Sequence, residues 1–83
     1  MKREIKKFVK EYTNKIYECD VLLKSLSFKK IDLRDKRRDA DSTIATQAEY
    51  DISVVRSDES KLEVKRQCYV QSMYDFDSLL DLV

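Results

Sequence analysis

A chain of 83 residues with 42% hydrophobic and 40% charged side chains has room for one small domain with a thin core. It contains neither glycine nor proline, which argues against a fold rich in tight turns and β-strands. Histidine, a glycine-rich phosphate loop and a nucleophile beside an evident base are all missing, so we expect a protein that is not an enzyme and binds no cofactor or metal ion.

The net charge of +1 conceals a division of charge along the chain. Residues 1–38 contain 13 Lys and Arg against 6 Asp and Glu, which gives +7. Residues 39–83 contain 4 Lys and Arg against 10 Asp and Glu, which gives −6. This division favours a fold that places the two halves side by side.

The first predicted element is a helix over about residues 2–37. Apolar side chains recur there at steps of three and four residues, the spacing of one helical face, with a gap at Lys30. They are Ile5, Phe8, Tyr12, Ile16, Cys19, Leu23, Leu26 and Leu33. No glycine marks the end of this helix, so only the polar segment that follows indicates where it stops.

A turn is predicted at about residues 38–42, within Arg34–Thr43, the longest stretch without a large apolar side chain. The side-chain oxygen of Asp39, Asp41 or Ser42 is expected to cap the next helix. Each of these oxygens can accept a hydrogen bond from a first-turn amide that has no partner inside the helix.

The second predicted element is a helix over about residues 43–82. Its seam positions alternate steps of four and three, which is the 3.5-residue repeat of a coiled coil, and Glu59 and Arg66 are its polar interruptions. The repeat consists of Ala48, Ile52, Val55, Glu59, Leu62, Arg66, Tyr69, Met73, Phe76, Leu80 and Val83.

Together the two stripes predict an all-α fold, a single-domain antiparallel two-helix hairpin of the coiled-coil type. Seam residues whose numbers add to about 85 then face each other. The expected pairs include Phe8 with Phe76, Tyr12 with Met73, Ile16 with Tyr69, Leu23 with Leu62, and Leu33 with Ile52. The hairpin also places the N-terminal lysines beside Asp75, Asp77 and Asp81, where we expect the opposite charges to attract.

The alternative is a three-helix bundle with breaks near Ser25–Ser27 and Ser57–Ser60. Ser60 followed by Glu63 fits the capping box that often starts a helix. An up-down-up bundle would, however, separate the acidic C-terminal end from the basic N-terminal end, so the hairpin is the preferred prediction.

A two-helix hairpin leaves apolar side chains outside its seam, and exposed apolar surface of this kind often marks an interface. We expect two hairpins to pair as a homodimeric four-helix bundle, or a helix of a host protein to cover the same surface. The candidate interface residues are Val9, Leu22, Phe28, Ile31, Val54, Val64, Val70, Tyr74 and Leu79, with Val21 and Leu82 also outside the seam. Among them, Val64 and Val70 are expected to drive association.

Nucleic-acid binding is the alternative function, because a cluster of cations lies at the predicted tip of the hairpin and phosphate contacts need such cations. Its residues are Lys29, Lys30, Arg34, Lys36, Arg37 and Arg38. Asp32, Asp35, Asp39 and Asp41 are interleaved with them, and no aromatic recognition motif accompanies the cluster, so protein binding is preferred.

We also expect a cytoplasmic protein that does not enter a membrane. No apolar run approaches the roughly 18 residues of a membrane span, and no apolar stretch of the signal-peptide kind follows the lysine-rich start. In a reducing compartment Cys19 and Cys68 remain thiols, and without histidine they form no zinc site.

Several segments of the chain are similar to segments of short helical accessory proteins of bacteriophages and mobile elements. They are the lysine-rich start, Glu11-Tyr12 and Ile16–Asp20 in the first helix, and Tyr69–Gln71 and Asp77–Leu80 near the end. The resemblance spans both helices and includes no diagnostic motif. It implies a small accessory protein that acts by binding, for example to a host or defence protein, with no catalytic residues.

Overall fold

The computed structural model describes every residue from Met1 to Val83 and consists of two α-helices. Helix α1 spans Lys2–Arg37 and helix α2 spans Ser42–Leu80, and the two pack against each other as an antiparallel hairpin. The predicted all-α hairpin is confirmed. Both helices continue unbroken through Ser25–Ser27 and Ser57–Ser60, so the three-helix alternative is wrong.

The turn between the helices consists of Arg38–Asp41, and aspartates shape it. Asp41 is the N-cap of α2, and its Oδ1 accepts a hydrogen bond of 2.9 Å from the amide of Thr43. Asp39 Oδ1 accepts one of 2.8 Å from the amide of Asp41 itself. No residue in the chain has a positive φ, so the turn forms without glycine.

The hairpin is a thin rod of 63 × 15 × 12 Å with only six buried residues. Leu33, Ile52 and Val55 form the central cluster beside the turn, and Leu26 packs against it. The predicted pairing of Leu33 with Ile52 is thus confirmed. The other buried residues are Ile5, Cys19 and Ala48. Because each helix has only one neighbour, burial is confined to the line along which the helices touch.

Aromatic rings fill the seam toward the open end of the hairpin, where the chain termini lie. The rings of Phe8 and Phe76 stack with centroids 5.0 Å apart, as the register predicts. The ring of Tyr12 packs against Phe76 at 5.7 Å and Tyr69 at 6.0 Å, which lie one turn to either side of its predicted partner Met73. Large rings therefore bridge successive turns of the opposite helix.

The seam of α1 contains Val9, which the predicted apolar face of α1 leaves out. Val9 is half-buried, whereas Phe8 keeps 44% of its surface exposed despite its stacking on Phe76. With Val9 included, the seam reads Ile5, Val9, Tyr12, Ile16, Cys19, Leu23, Leu26, Lys30 and Leu33, an uninterrupted alternation of four and three. Both helices thus follow the same 3.5-residue repeat, and Phe8 packs from its edge.

The two charged clusters at the open end share that end but form no ion pairs with each other. The ion pairs of the hairpin are instead Lys30 with Glu59 and Arg66 with Asp20, both farther toward the turn. The expected attraction between the N-terminal lysines and Asp75, Asp77 and Asp81 therefore acts only at longer range, where solvent and salt weaken it.

Candidate interaction surface

The two polar interruptions of the α2 seam both have partners on α1. Lys30 Nζ lies 2.9 Å from Glu59 Oε1, so the gap in the first apolar stripe and an interruption in the second are opposite each other. The side chains keep only 21% and 15% of their surface exposed. A partly desolvated pair of this kind fixes which residues of two helices can face each other.

The second pair lies at the edge of the seam, where solvent reaches it. Arg66 Nε donates a hydrogen bond of 2.6 Å to Asp20 Oδ1. This hydrogen bond, with the attraction between the two charges, raises the pKa of Arg66 above its ordinary value. Both charges are therefore already satisfied within the hairpin.

The face of α1 turned away from α2 has an apolar stripe of its own, which we call the α1 stripe. It consists of Tyr17, Val21, Phe28 and Ile31, with Lys24 at its centre. Steps of four, three, four and three residues put the five side chains on one face, and the four apolar ones are between 49% and 70% exposed. The stripe therefore repeats the seam pattern on the solvent side of the same helix.

The predicted interface residues do not form one common surface. Phe28 and Ile31 belong to the α1 stripe, and Leu22 lies beside it, on a groove shared with Asp58 and Lys61 of α2. Val54, Val64, Tyr74 and Leu79 are exposed along α2, but their spacing spreads them over about 160° of that helix, with more than one turn between successive residues.

Two of the predicted interface residues are not on the outer surface. Val9 and Val70 are half-buried. Val70 also follows Val64 by six residues, which places the two about 120° apart on the helix, so they do not form one stripe. Tyr17 and Lys24, which are not among the predicted interface residues, complete the α1 stripe, and their spacing from Val21 and Phe28 was the signal that could have revealed them.

The predicted cation cluster is divided by the structure. Lys30 is engaged with Glu59, whereas the other members are exposed near the turn and form no ion pair. Those members are Lys29, Arg34, Lys36, Arg37 and Arg38.

The remaining chemistry of the chain is limited. Cys19 is buried and Cys68 is exposed, and both are free thiols. No group of three or more Cys, Asp and Glu side chains lies together in a way that could hold a metal ion. Neither helix has a stretch long and apolar enough to cross a membrane.

Comparisons with protein-family models, with curated proteins and with solved structures found no significant match to this chain. The resemblance to small accessory proteins of bacteriophages and mobile elements therefore stays a prediction.

Proposed function

We propose that this protein is a non-enzymatic protein–protein interaction module of the cytoplasm, an accessory protein of phage or mobile-element type that binds another protein chain through the α1 stripe. The partner is a second copy of the chain or a host protein. The observation that supports the proposal is the exposure of four large apolar side chains on one face of α1 at the spacing by which helices bind helices.

The exposed face is unusual for what the hairpin itself needs. Its seam has an aliphatic cluster beside the turn and ring contacts near the termini, and both polar interruptions are paired. Tyr17, Val21, Phe28 and Ile31 contribute nothing to that seam and would be replaceable by polar residues if α1 faced only water. A binding partner gives them a role, because it would remove their apolar surface from solvent.

Two variants of the whole chain test this proposal. Val21→Asp combined with Phe28→Asp places charge on the α1 stripe, and Val64→Asp is the matched control on the outer face of α2. We expect sedimentation equilibrium and affinity capture from host extract to show an association that the wild-type chain and the control share and the double variant loses. Identical behaviour of all three chains would contradict the proposal.

The second candidate function, nucleic-acid binding, is favoured by the free cations at the turn. Lys29, Arg34, Lys36, Arg37 and Arg38 are exposed and none is neutralised by an ion pair, although aspartates are interleaved with them. Nucleic-acid binding predicts that the chain is retained on mixed DNA and RNA at low salt and that retention falls steeply at moderate salt. It also predicts that the double variant Arg37→Ala with Arg38→Ala loses this retention. Retention that does not depend on these two arginines would count against it.

A further inference from the structure

We propose that the α1 stripe binds an amphipathic helix of a different protein that places a carboxylate against Lys24, rather than the same stripe of a second copy. This inference rests on the proposed function and adds the chemistry of the partner.

Lys24 divides the stripe into two equal parts. Tyr17 and Val21 precede it and Phe28 and Ile31 follow it, and the steps of four and three residues before Lys24 repeat after it. Lys24 is exposed and takes part in neither ion pair of the hairpin. A single lysine among the apolar positions of a helix–helix contact weakens the contact but selects its partner and register.

A second copy is a poor match because the midpoint is a cation. In an antiparallel pairing centred on Lys24, Tyr17 would face Ile31, but Lys24 would face Lys24 of the second copy. A shift of three or four residues sets Lys24 against Val21 or Phe28 instead, and the second stripe then offers it no carboxylate. A parallel pairing about a two-fold axis sets every residue against itself, so the same two lysines meet. Every symmetric arrangement therefore either brings two lysines together or sets Lys24 against an apolar side chain without a carboxylate.

The nearby carboxylates do not relieve this repulsion. Asp20 is one turn from Lys24, but it is already bound to Arg66 of its own hairpin. Glu18 and Asp32, on the flank of the stripe, would lie opposite each other in the antiparallel pairing and would repel as well. The surface is thus complementary to a helix with an acidic residue at its centre and basic residues along one flank.

The length of the stripe sets the size of the partner segment. From Tyr17 to Ile31 the helix rises about 21 Å, or two heptads. The contact is smaller than a typical stable interface, so the binding is expected to be transient, and one charge at its centre then has a large relative effect.

Two synthetic helical peptides test the assignment. Both are about 21 residues long, with leucine at the apolar heptad positions and lysine on one flank, and they differ only in a central Glu or Lys. Fluorescence anisotropy with the full chain is expected to show that the Glu peptide binds about tenfold more tightly than the Lys peptide. The Lys24→Glu variant is expected to reverse this preference, because the charge it presents is reversed.

The outcomes separate this inference from the proposed function. Equal affinity for the two peptides in the wild type, or no reversal in Lys24→Glu, overturns the carboxylate partner even if Val21→Asp with Phe28→Asp abolishes association in extract. If the wild type self-associates and the double variant Lys24→Glu with Phe28→Ser does not, the stripe binds a second copy. That result also overturns the proposal of a different partner protein. Circular dichroism of each variant checks that the hairpin is intact, which we expect because all these positions are exposed.

Discussion

The half of the hairpin near the turn and the half near the chain termini are held together by different means. Beside the turn, the aliphatic residues Leu33, Ala48, Ile52 and Val55 are buried, and the Lys30–Glu59 pair closes the adjacent gap. Toward the termini, stacked rings fill much of the seam, Ile5 is the only buried aliphatic residue, and Phe8 at the edge of the rings stays partly exposed. Lysines cover the rings, since Lys15 Nζ lies 5.3 Å from the centroid of Tyr12.

This difference shows how a rod with so thin a core concentrates its stability. Aliphatic side chains beside the turn are close in sequence as well as in space, so little loop-closure entropy is lost when they meet. Rings near the termini must join segments about 60 residues apart, and they remain partly exposed to solvent. We therefore expect the turn half to dominate the free energy of unfolding and the open end to fray first.

Ile52→Ala is expected to have the largest effect, because Ile52 is 3% exposed and lies in the central cluster. The loss should be about 2 to 4 kcal/mol in the free energy of unfolding, measured by urea titration followed by circular dichroism. Val54→Ala, at the exposed neighbouring position, is the control and should change little. Equal losses at the two positions would mean that the turn half has no real core.

The Lys30–Glu59 pair is expected to have the next largest effect. Glu59→Ala leaves Lys30 partly buried without a partner, and we expect a loss of about 1 to 3 kcal/mol. Replacing both residues by leucine should restore or exceed wild-type stability, since apolar contacts then continue through the seam. If the double leucine variant is less stable than Glu59→Ala, the ion pair contributes to stability as well as to register.

Substitutions at the aromatic end near the termini are expected to cost less free energy of unfolding than those beside the turn. Because Phe8 is partly exposed, Phe8→Ala should cost about 1 to 2 kcal/mol, less than a fully buried phenylalanine. A double-mutant cycle with Phe76→Ala should give a coupling of about 0.5 to 1.5 kcal/mol, because the rings stack. Additive losses in a monomeric sample would show that the two rings do not meet within one chain.

The exposed pair of Arg66 and Asp20 is expected to have the smallest effect, and one that salt reduces. Asp20→Asn should lower thermal stability slightly in low salt and leave it unchanged in high salt. Because the pKa of Arg66 is raised in the folded chain, its contribution is complete below the ordinary pKa of arginine and is lost only as pH rises through the raised value. Around neutral pH, titration of Arg66 should therefore leave stability unchanged.

The helical spacing could predict two helices and their register, because both follow from which residues share a face, and the division of charge favoured the hairpin over three helices. It could not decide between Phe8 and Val9 in the seam, since steps of three and four both reach the next turn and only packing separates them. The gap at Lys30 and the interruption at Glu59 each looked unfavourable when read along one helix. Their pairing is a property of two helices together.

The candidate surface was predicted less well for a related reason. Choosing apolar residues outside the seam gathers positions that point in different directions, such as Val64 and Val70. A second 3.5-residue repeat on the outer face requires its residues to share one direction. This requirement separates the α1 stripe from the exposed residues of α2, and it adds Tyr17 and Lys24 to the stripe.

The turn Arg38–Asp41 also sets the conditions for exchange between chains. Asp41 leaves the helical path by its ψ of 115°, and no residue of the turn has a positive φ. A chain in which all of Arg38–Asp41 turned helical would join α1 to α2. Two such chains lying antiparallel would remake the seam between them, because a two-fold axis preserves pairs whose numbers add to a constant. The carboxylates of Asp39 and Asp41 accept the hydrogen bonds that close the turn and thus oppose domain swapping, which would also require the seam to open first.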